Sequence, residues 1–346
     1  MTFLIFCLVL GITIFIHELG HFLFAKKAGV HIYEFSLGMG PKIHTWKRKN
    51  DVTEYSLRLF PIGGFVSIAG EDEYTDTKIP KDKQLLFKPW KDRFLTIIAG
   101  VMFNFLLALV LLFIVGIING VPKYDTKIGN IETNYPIYET NIKIGDTIVK
   151  YNNKKIYSSD KLAILLAVNK GEEINLTVKH KDGILEDIKV TPIKVTEEDI
   201  TSYKLGITLN NERTRNIVDL ITYPFKKIAS LIDQMVTILK YLITGKLSIN
   251  NLSGPIGIYQ VVDGTRKAGI VNIIYLIAYL CINVGVINIL PIPAFDGGRA
   301  LFLLIEKITR KKVNSKVENT IHTIGFYLLI VLMIIITYHD IIRLIK

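Results

Sequence analysis

The chain has 346 residues, 50% of them hydrophobic, and a mean hydropathy of +0.36. These values exclude an ordinary soluble protein, while the charged fraction of 21% leaves room for a water-exposed insert. The net charge of +11 does not indicate nucleic-acid binding, because basic cytoplasmic loops also raise the charge of membrane proteins and no basic-aromatic module is visible. The composition predicts a membrane protein that binds no nucleic acid.

Four segments are apolar and long enough to cross a bilayer core, which takes about 20 helical residues. They are residues 2–25, 94–118, 271–290 and 321–338. The first segment has no basic leader and no small-residue cleavage site, so we expect a retained span and not a signal peptide. The predicted fold class is a polytopic α-helical membrane protein with four transmembrane helices.

The first apolar segment contains His17, Glu18 and His21. Ionisable side chains are expensive in hydrocarbon, and their presence there indicates a function. Positions i and i+4 share one face of a helix, so the two histidines can bind one metal ion while Glu18 transfers a proton. The pattern is typical of zinc hydrolases.

Residues 55–60 and 65–68 are strand-like and flank a turn that contains Pro61, Gly63 and Gly64, which predicts a β-hairpin. Basic residues are concentrated after the first and third spans. These residues are Lys26, Lys27, Lys42, Lys47, Arg48 and Lys49, and then Arg299, Lys307, Arg310, Lys311, Lys312 and Lys316. Both groups follow odd-numbered spans, so the positive-inside rule makes their side, with the hairpin, cytoplasmic. Both termini would then be extracytoplasmic.

The section between the second and third spans is expected to be extracytoplasmic and to have two parts. Residues 127–209 alternate like strands, with a turn at Asp182 and Gly183, and predict a small β-rich domain. Residues 217–243 are apolar but regularly interrupted by charges, which favours amphipathic helices at the membrane surface over a fifth crossing. The expected domains are residues 1–120, 121–210, 211–270 and 271–346.

A catalytic zinc ion takes three protein ligands and a water, so a third ligand is needed. The best candidate is Asp296, which follows two prolines at the end of the third span and precedes two glycines. The first and third spans run in the same direction. Asp296 should therefore lie at the same depth as His17 and His21, near the cytoplasmic leaflet.

Several motifs together resemble the site-2 protease family (peptidase family M50), and within it the RseP/RasP-type group that carries a PDZ domain. They are His17-Glu18-Leu19-Gly20-His21, Asn288 to Gly297 with Pro291 and Pro293, Phe35 to Pro41, Gly63-Gly64-Phe65-Val66, Gly100 with Asn104, and Gly254-Pro255-Ile256-Gly257. The resemblance covers nearly the whole chain. It implies that the inserted domain is PDZ-like, although Thr140-Asn141-Ile142 departs from the usual Ala-Gly-Leu.

The resemblance also implies an activity, which is intramembrane proteolysis in the plasma (inner) membrane of a bacterium. One Zn²⁺ would be held by His17, His21 and Asp296, with Glu18 as the general base. Candidate substrate-binding residues are Asn288, Pro291, Asn104, Gly63 and Gly64. For Asn288 and Asn104, helix capping or helix packing stays open as an alternative role. The hairpin edge would pair with an unwound substrate. Expected partners are the lipid bilayer and transmembrane substrates, such as anti-sigma factors or remnant signal peptides.

Two other functions stay open. The chain could be a metal or ion transporter, although its ionisable residues cluster at one leaflet and no inverted repeat is visible. It could also be a membrane-anchored PDZ binding module with a structural metal, although no fourth protein ligand is evident. Five further histidines lack ligand spacing and are expected at surfaces or membrane edges: His31, His44, His180, His322 and His339.

Overall fold

The computed structural model describes residues 1–49, 51–71, 78–123, 125–197, 200–248 and 252–345. It contains two compact units. One is formed by Met1–Leu112 together with Asn250–Lys346, and the other by Phe113–Ile249. The first unit is mainly helical and carries the histidine motif, and the second is mainly β.

The helices are α1 (Thr2–Lys27), α2 (Trp90–Asn119), α3 (Ser159–Ala167), α4 (Ile217–Ile243), α5 (Pro255–Lys267), α6 (Ile270–Ile289), α7 (Asp296–Thr309) and α8 (Ser315–Ile345). In the described residues, four of them are long and apolar enough to cross a membrane, namely α1, α2, α6 and α8. The prediction of four such helices is confirmed. The basic stretch after the third span, which was expected to be a loop, instead begins with the amphipathic helix α7.

The strands are β1 (Ile32–Lys47), β2 (Glu54–Ile68), β3 (Val121–Pro122), β4 (Ile128–Ile131), β5 (Thr147–Tyr151), β6 (Lys154–Lys155), β7 (Ile174–Lys179), β8 (Leu185–Val190), β9 (Ile193–Glu197), β10 (Ile200–Lys204), β11 (Ile207–Leu209) and β12 (Arg213–Thr214). Strands β1 and β2 belong to the helical unit, and the others belong to the β-rich unit. Short 3₁₀ turns occur at Lys81–Lys83, Leu85–Phe87 and Pro136–Glu139.

The predicted hairpin between residues 55–60 and 65–68 is wrong in its pairing. Both segments belong to the single long strand β2. Residues 34–37 of β1 pair with both of them, and Leu37, for example, lies opposite Leu57 and Gly64. The pairing differs because Phe35 of β1 is buried against Phe22 of α1. A buried aromatic side chain contributes much of the stability of such a core. The packing of Phe35 therefore favours a position of β1 between the two halves of β2.

Helices α1 and α2 approach each other closely at Gly20. A Cβ atom at this position would lie 2.4 Å from the carbonyl oxygen of Ala99, so only glycine fits without moving the helix backbones. The start of α2 also packs on α7, where the Trp90 indole donates a hydrogen bond of 2.7 Å to the carbonyl oxygen of Leu303. Helix α2 therefore contacts both elements that carry the candidate ligands.

The end of α8 holds the start of α5 through a buried carboxylate. The backbone N–H groups of Gly254 and Gly257 each donate a hydrogen bond of 2.9 Å to Asp340 Oδ2. A carboxylate at the N-terminus of a helix satisfies unpaired N–H groups and favours the helix dipole. This contact gives the Gly254-Pro255-Ile256-Gly257 motif a structural role.

The β-rich unit is built on a four-stranded antiparallel sheet in the order β6-β5-β7-β8. The predicted alternation of Ile174, Leu176 and Val178 is confirmed, because all three lie in β7 and are buried in the core. The turn at Gly183 is also confirmed, with a φ of +92° that favours glycine. Residues 121–214 therefore contain a folded β-rich region.

Residues 217–243 form the single helix α4 in the β-rich unit, and α4 is not among the four helices long and apolar enough to span. The ammonium of Lys227 donates to the carboxylate of Asp160 at the start of α3 at 2.8 Å. Large apolar side chains of α4 remain exposed, among them Ile221 and Phe225. Helix α4 is thus amphipathic, while the next helix, α5, belongs to the other unit.

His180 is partly buried in the β-rich unit, between two carboxylates. Its Nδ1 is 2.8 Å from Asp146 Oδ2 and its Nε2 is 2.9 Å from Glu186 Oε2. Hydrogen bonds to Asp146 first, and then to Glu186, raise the pKa of this imidazole. The imidazole thus bridges a buried carboxylate, Asp146, and a more exposed one, Glu186.

Candidate metal centre

Helix α1 carries the two histidines on one face. His17 and His21 are four residues apart, their rings meet edge to face with centroids 4.8 Å apart, and both point Nε2 toward the same position. The side chain of each is about one-tenth exposed. Two imidazoles are thus held together in a largely buried part of an apolar helix.

The segment between α6 and α7 brings Asp296 to the same position. Asp296 is the first residue of α7, and Ala294 before it has a φ of +77°, in the left-handed region that L-residues seldom adopt. The ring of His322 fixes this turn, since its Nδ1 accepts a hydrogen bond of 3.0 Å from the N–H of Ala294. A Cβ on Gly297 would lie 2.2 Å from the carbonyl oxygen of Leu290, so the close approach requires glycine.

Three ligand atoms form a nearly equilateral triangle. His17 Nε2 is 3.1 Å from Asp296 Oδ2, His21 Nε2 is 3.4 Å from the same oxygen, and the two nitrogens are 3.2 Å apart. In a tetrahedral zinc site with bonds of about 2.05 Å, ligand atoms lie about 3.3 Å apart. Within the described part of the chain, Asp296 Oδ2 is buried and accepts no hydrogen bond of good geometry. The donor set and its dimensions therefore fit zinc.

Glu18 points from α1 toward the strand β2. Its Oε2 accepts a hydrogen bond of 3.1 Å from the backbone N–H of Val66. Gly64 lies beside it, because a Cβ on this glycine would be 4.0 Å from Glu18 Cγ. A main-chain donor thus orients a carboxylate that neighbours His17 in the chain.

The other candidate substrate-binding residues lie on β2, on α2 and at the end of α6. Gly63 and Gly64 lie in β2, where Gly63 has a φ of +95°. Asn288 is half-buried in the last turn of α6, and Pro291 is exposed in the segment that follows. Asn104 is fully buried on α2 and contacts His17.

The roles of two contributors were not predicted from the sequence. The first is His322, expected at a surface or membrane edge, which instead holds the turn before Asp296. The second is the face of α2 formed by Thr96, Gly100 and Asn104. Gly100 and Asn104 were named from the sequence, but their contacts with the two histidines were not predicted. Residues four apart on a helix share one face, so this spacing was the signal in the sequence that could have indicated a common role for the three residues.

The chain is similar to known proteins over nearly its whole length. A model of peptidase family M50 matches residues 5–332. A protein of Clostridium acetobutylicum, named as a candidate zinc metalloprotease, is 36% identical over 335 residues, covering 97% of this chain and 96% of the relative. The Bacillus subtilis protein named "Regulator of sigma-W protease RasP" is 32% identical over 421 residues, covering 99% of each chain. A solved PDZ domain of an SdrC-like protein from Listeria innocua covers 27% of this chain and 99% of its own at 15% identity, but a TM-score of 0.23 carries no argument.

The structure combines two histidines, a carboxylate and an adjacent glutamate with four helices able to cross a membrane. This combination is typical of membrane-embedded zinc peptidases. The chain belongs to peptidase family M50. It is an intramembrane zinc metalloprotease and a multipass protein of the plasma (inner) membrane, acting on membrane proteins. Of the three functions left open by the sequence, the protease is therefore retained.

Proposed function

We propose that His17, His21 and Asp296 hold a single zinc ion and that Glu18 is the general base of peptide hydrolysis. The observation that carries the proposal is the triangle of ligand atoms, with edges of 3.1 to 3.4 Å, beside a glutamate oriented by a backbone N–H. Three protein ligands leave a fourth position for solvent or substrate, which distinguishes a catalytic site from a structural one.

Purified full-length protein in detergent is expected to contain one zinc ion per chain by elemental analysis. A chelator should remove both the metal and the cleavage of a transmembrane reporter in liposomes, and added zinc should restore both, because the ion is needed for the reaction. Cleavage of the reporter by protein that contains no stoichiometric metal would contradict the proposed site.

When bound, zinc supplies Lewis acidity, which polarises a peptide carbonyl and lowers the pKa of water. The residues of the chain do the rest. Glu18 accepts the proton of the attacking water while a C–O bond forms at the scissile carbonyl. It then passes this proton to the nitrogen of the leaving amine as the C–N bond breaks. The N–H of Val66 holds the Glu18 carboxylate in place for both transfers.

A transmembrane substrate must unwind locally before it is cut, because a helix hides its amides in i to i−4 hydrogen bonds. The edge of β2 near Gly64 and Val66 is suited to receive the unwound segment as an added strand. The Val66 N–H points at Glu18 and therefore away from its strand partner Phe35. An added strand at this edge would lie directly beside the metal ligands.

Val66→Pro is expected to lower cleavage of the reporter by about 100-fold, the effect typical of a reacting group displaced by about 1 Å. Proline removes the N–H that orients Glu18 and disturbs the edge that a substrate strand would pair with, but it leaves the ligand triangle intact. The matched control Val66→Ala keeps the N–H and should retain activity. Wild-type cleavage by Val66→Pro, measured with zinc content and helicity unchanged, would exclude this edge.

The proposed orientation has the active site near the cytoplasmic leaflet, with the termini and the β-rich unit outside. His17 lies fifteen residues after Thr2, which corresponds to about 23 Å along the helix at about 1.5 Å per residue. Basic side chains occur in the last turns of α1 and α7, with Lys26 and Lys27 in the first and Lys307 in the second. The positive-inside rule assigns these ends to the cytoplasm.

The physiological substrates proposed are anti-sigma factors and remnant signal peptides, with the β-rich unit acting as a PDZ-like filter for trimmed proteins. The name of the Bacillus subtilis relative, which links it to sigma-W regulation, supports the first class. Mass spectrometry of membrane peptides that accumulate in a strain carrying Glu18→Gln would identify the class. Accumulation of neither kind would contradict this assignment.

A further inference from the structure

One face of α2 contacts both imidazoles of the candidate metal site. Thr96, Gly100 and Asn104 follow one another at intervals of four residues and so share this face. A Cβ on Gly100 would lie 2.4 Å from His21 Nε2 and 2.7 Å from His17 Cε1, so this glycine leaves the room that the two rings occupy. The residues one turn before and one turn after Gly100 each contact the Nδ1 atom of one histidine.

The two Nδ1 contacts differ in kind. His21 Nδ1 is 2.8 Å from the main-chain carbonyl oxygen of Thr96, an acceptor that any residue at this position would supply. His17 Nδ1 is 3.2 Å from Nδ2 of the Asn104 side chain. Asn104 is 0% exposed, and its Oδ1 is a buried atom without a hydrogen-bond partner in the described ranges. The orientation of His17 thus depends on one side chain.

A histidine that binds a metal through Nε2 carries its ring proton on Nδ1 and needs an acceptor there. The oxygen and nitrogen of a carboxamide exchange places by a half-turn of the amide, which brings the unpartnered Oδ1 of Asn104 to His17 Nδ1. We propose that Asn104 is a positioning residue for the metal: its Oδ1 accepts the Nδ1 proton of His17 and so keeps His17 Nε2 available to zinc.

This inference rests on the proposed ligand set and adds a residue that does not bind the ion. It also differs from a role in helix packing. If Asn104 served packing alone, leucine, which is similar in size and apolar, would be tolerated in this buried position. If Asn104 orients His17, leucine removes the acceptor and weakens metal binding, whereas aspartate keeps an acceptor oxygen.

Full-length Asn104→Leu in detergent is expected to bind zinc about 10- to 100-fold more weakly than the wild type in chelator competition, the range for loss of an outer-shell partner. Asn104→Asp should bind with near wild-type affinity. The control Leu106→Ala changes an exposed position of the same helix and should bind zinc normally. The metal-free thermal midpoints of all variants, measured by circular dichroism, separate metal binding from folding.

Zinc binding by a folded Asn104→Leu as tight as the wild type would overturn the inference while leaving the ligand set intact. Absence of zinc from the wild type would instead refute the proposed function itself. If Asn104→Leu fails to fold, the protonation of His17 Nδ1 is measured instead, by ¹⁵N NMR of the unsubstituted, zinc-loaded chain with labelled histidine. We expect a protonated, hydrogen-bonded Nδ1 on His17, and an unprotonated Nδ1 would overturn the proposal.

Discussion

Glu18→Gln is expected to lower cleavage of a transmembrane reporter by about 10²- to 10⁴-fold, the range for loss of a general acid or base. Glutamine has the shape of glutamate, and its amide oxygen can still accept the hydrogen bond of Val66. It cannot take up a proton at neutral pH, so the two proton transfers lose their carrier while the metal site is retained.

The measurement combines cleavage in liposomes with zinc analysis of the same sample. Glu18→Gln should contain as much zinc as the wild type, because Glu18 is not one of the three ligands. Glu132→Gln, which changes a surface glutamate of the β-rich unit, is the matched control and should cleave normally. Cleavage by Glu18→Gln at more than about a tenth of the wild-type rate would exclude Glu18 as the base.

Asp296→Asn should remove zinc and, with it, activity. Asparagine is nearly isosteric with aspartate, but it is neutral, and hard or borderline metal ions bind carboxylates in preference to neutral amides. Because Asp296 Oδ2 forms one corner of the ligand triangle, we expect zinc affinity to fall by more than about 100-fold, beyond the loss of an outer-shell partner.

Chelator competition measures this loss, and circular dichroism checks that α7 still forms. Asp182→Asn, in an exposed turn of the β-rich unit, is the control for the same chemical change away from the site. Full zinc occupancy of Asp296→Asn would mean that the third ligand lies elsewhere, and the proposed site would have to be rebuilt around His17 and His21.

The parts of the centre that depend on local pattern were predictable from the sequence. His17 and His21 share a face because the helical period places residues i and i+4 together. The long apolar run around them predicts a membrane-spanning helix. Asp296 was selected because two prolines precede it and two glycines follow it at the end of the third span. Counting the crossings supported this choice, because two spans that run in the same direction bring distant residues to one depth.

The parts that depend on tertiary packing were not predictable. Strand β1 passes between the two halves of β2 because Phe35 packs on Phe22, a contact between residues that no short window contains together. His322 looked like a surface residue, since only the fold brings α8 to the turn at Ala294. Likewise, the contact of Asn104 with His17 exists only once α1 and α2 meet.

The contact of Gly20 with the backbone of Ala99 limits how the metal helix can vary. The motif is usually written with two unrestricted positions between its histidines, yet here the second of them can hold no side chain at all. Moving residues 17–21 into another helix would therefore reproduce the ligands but not their surroundings, unless the neighbouring helix were moved as well. In this fold the zinc motif is a property of a helix pair and cannot be read as a property of one segment.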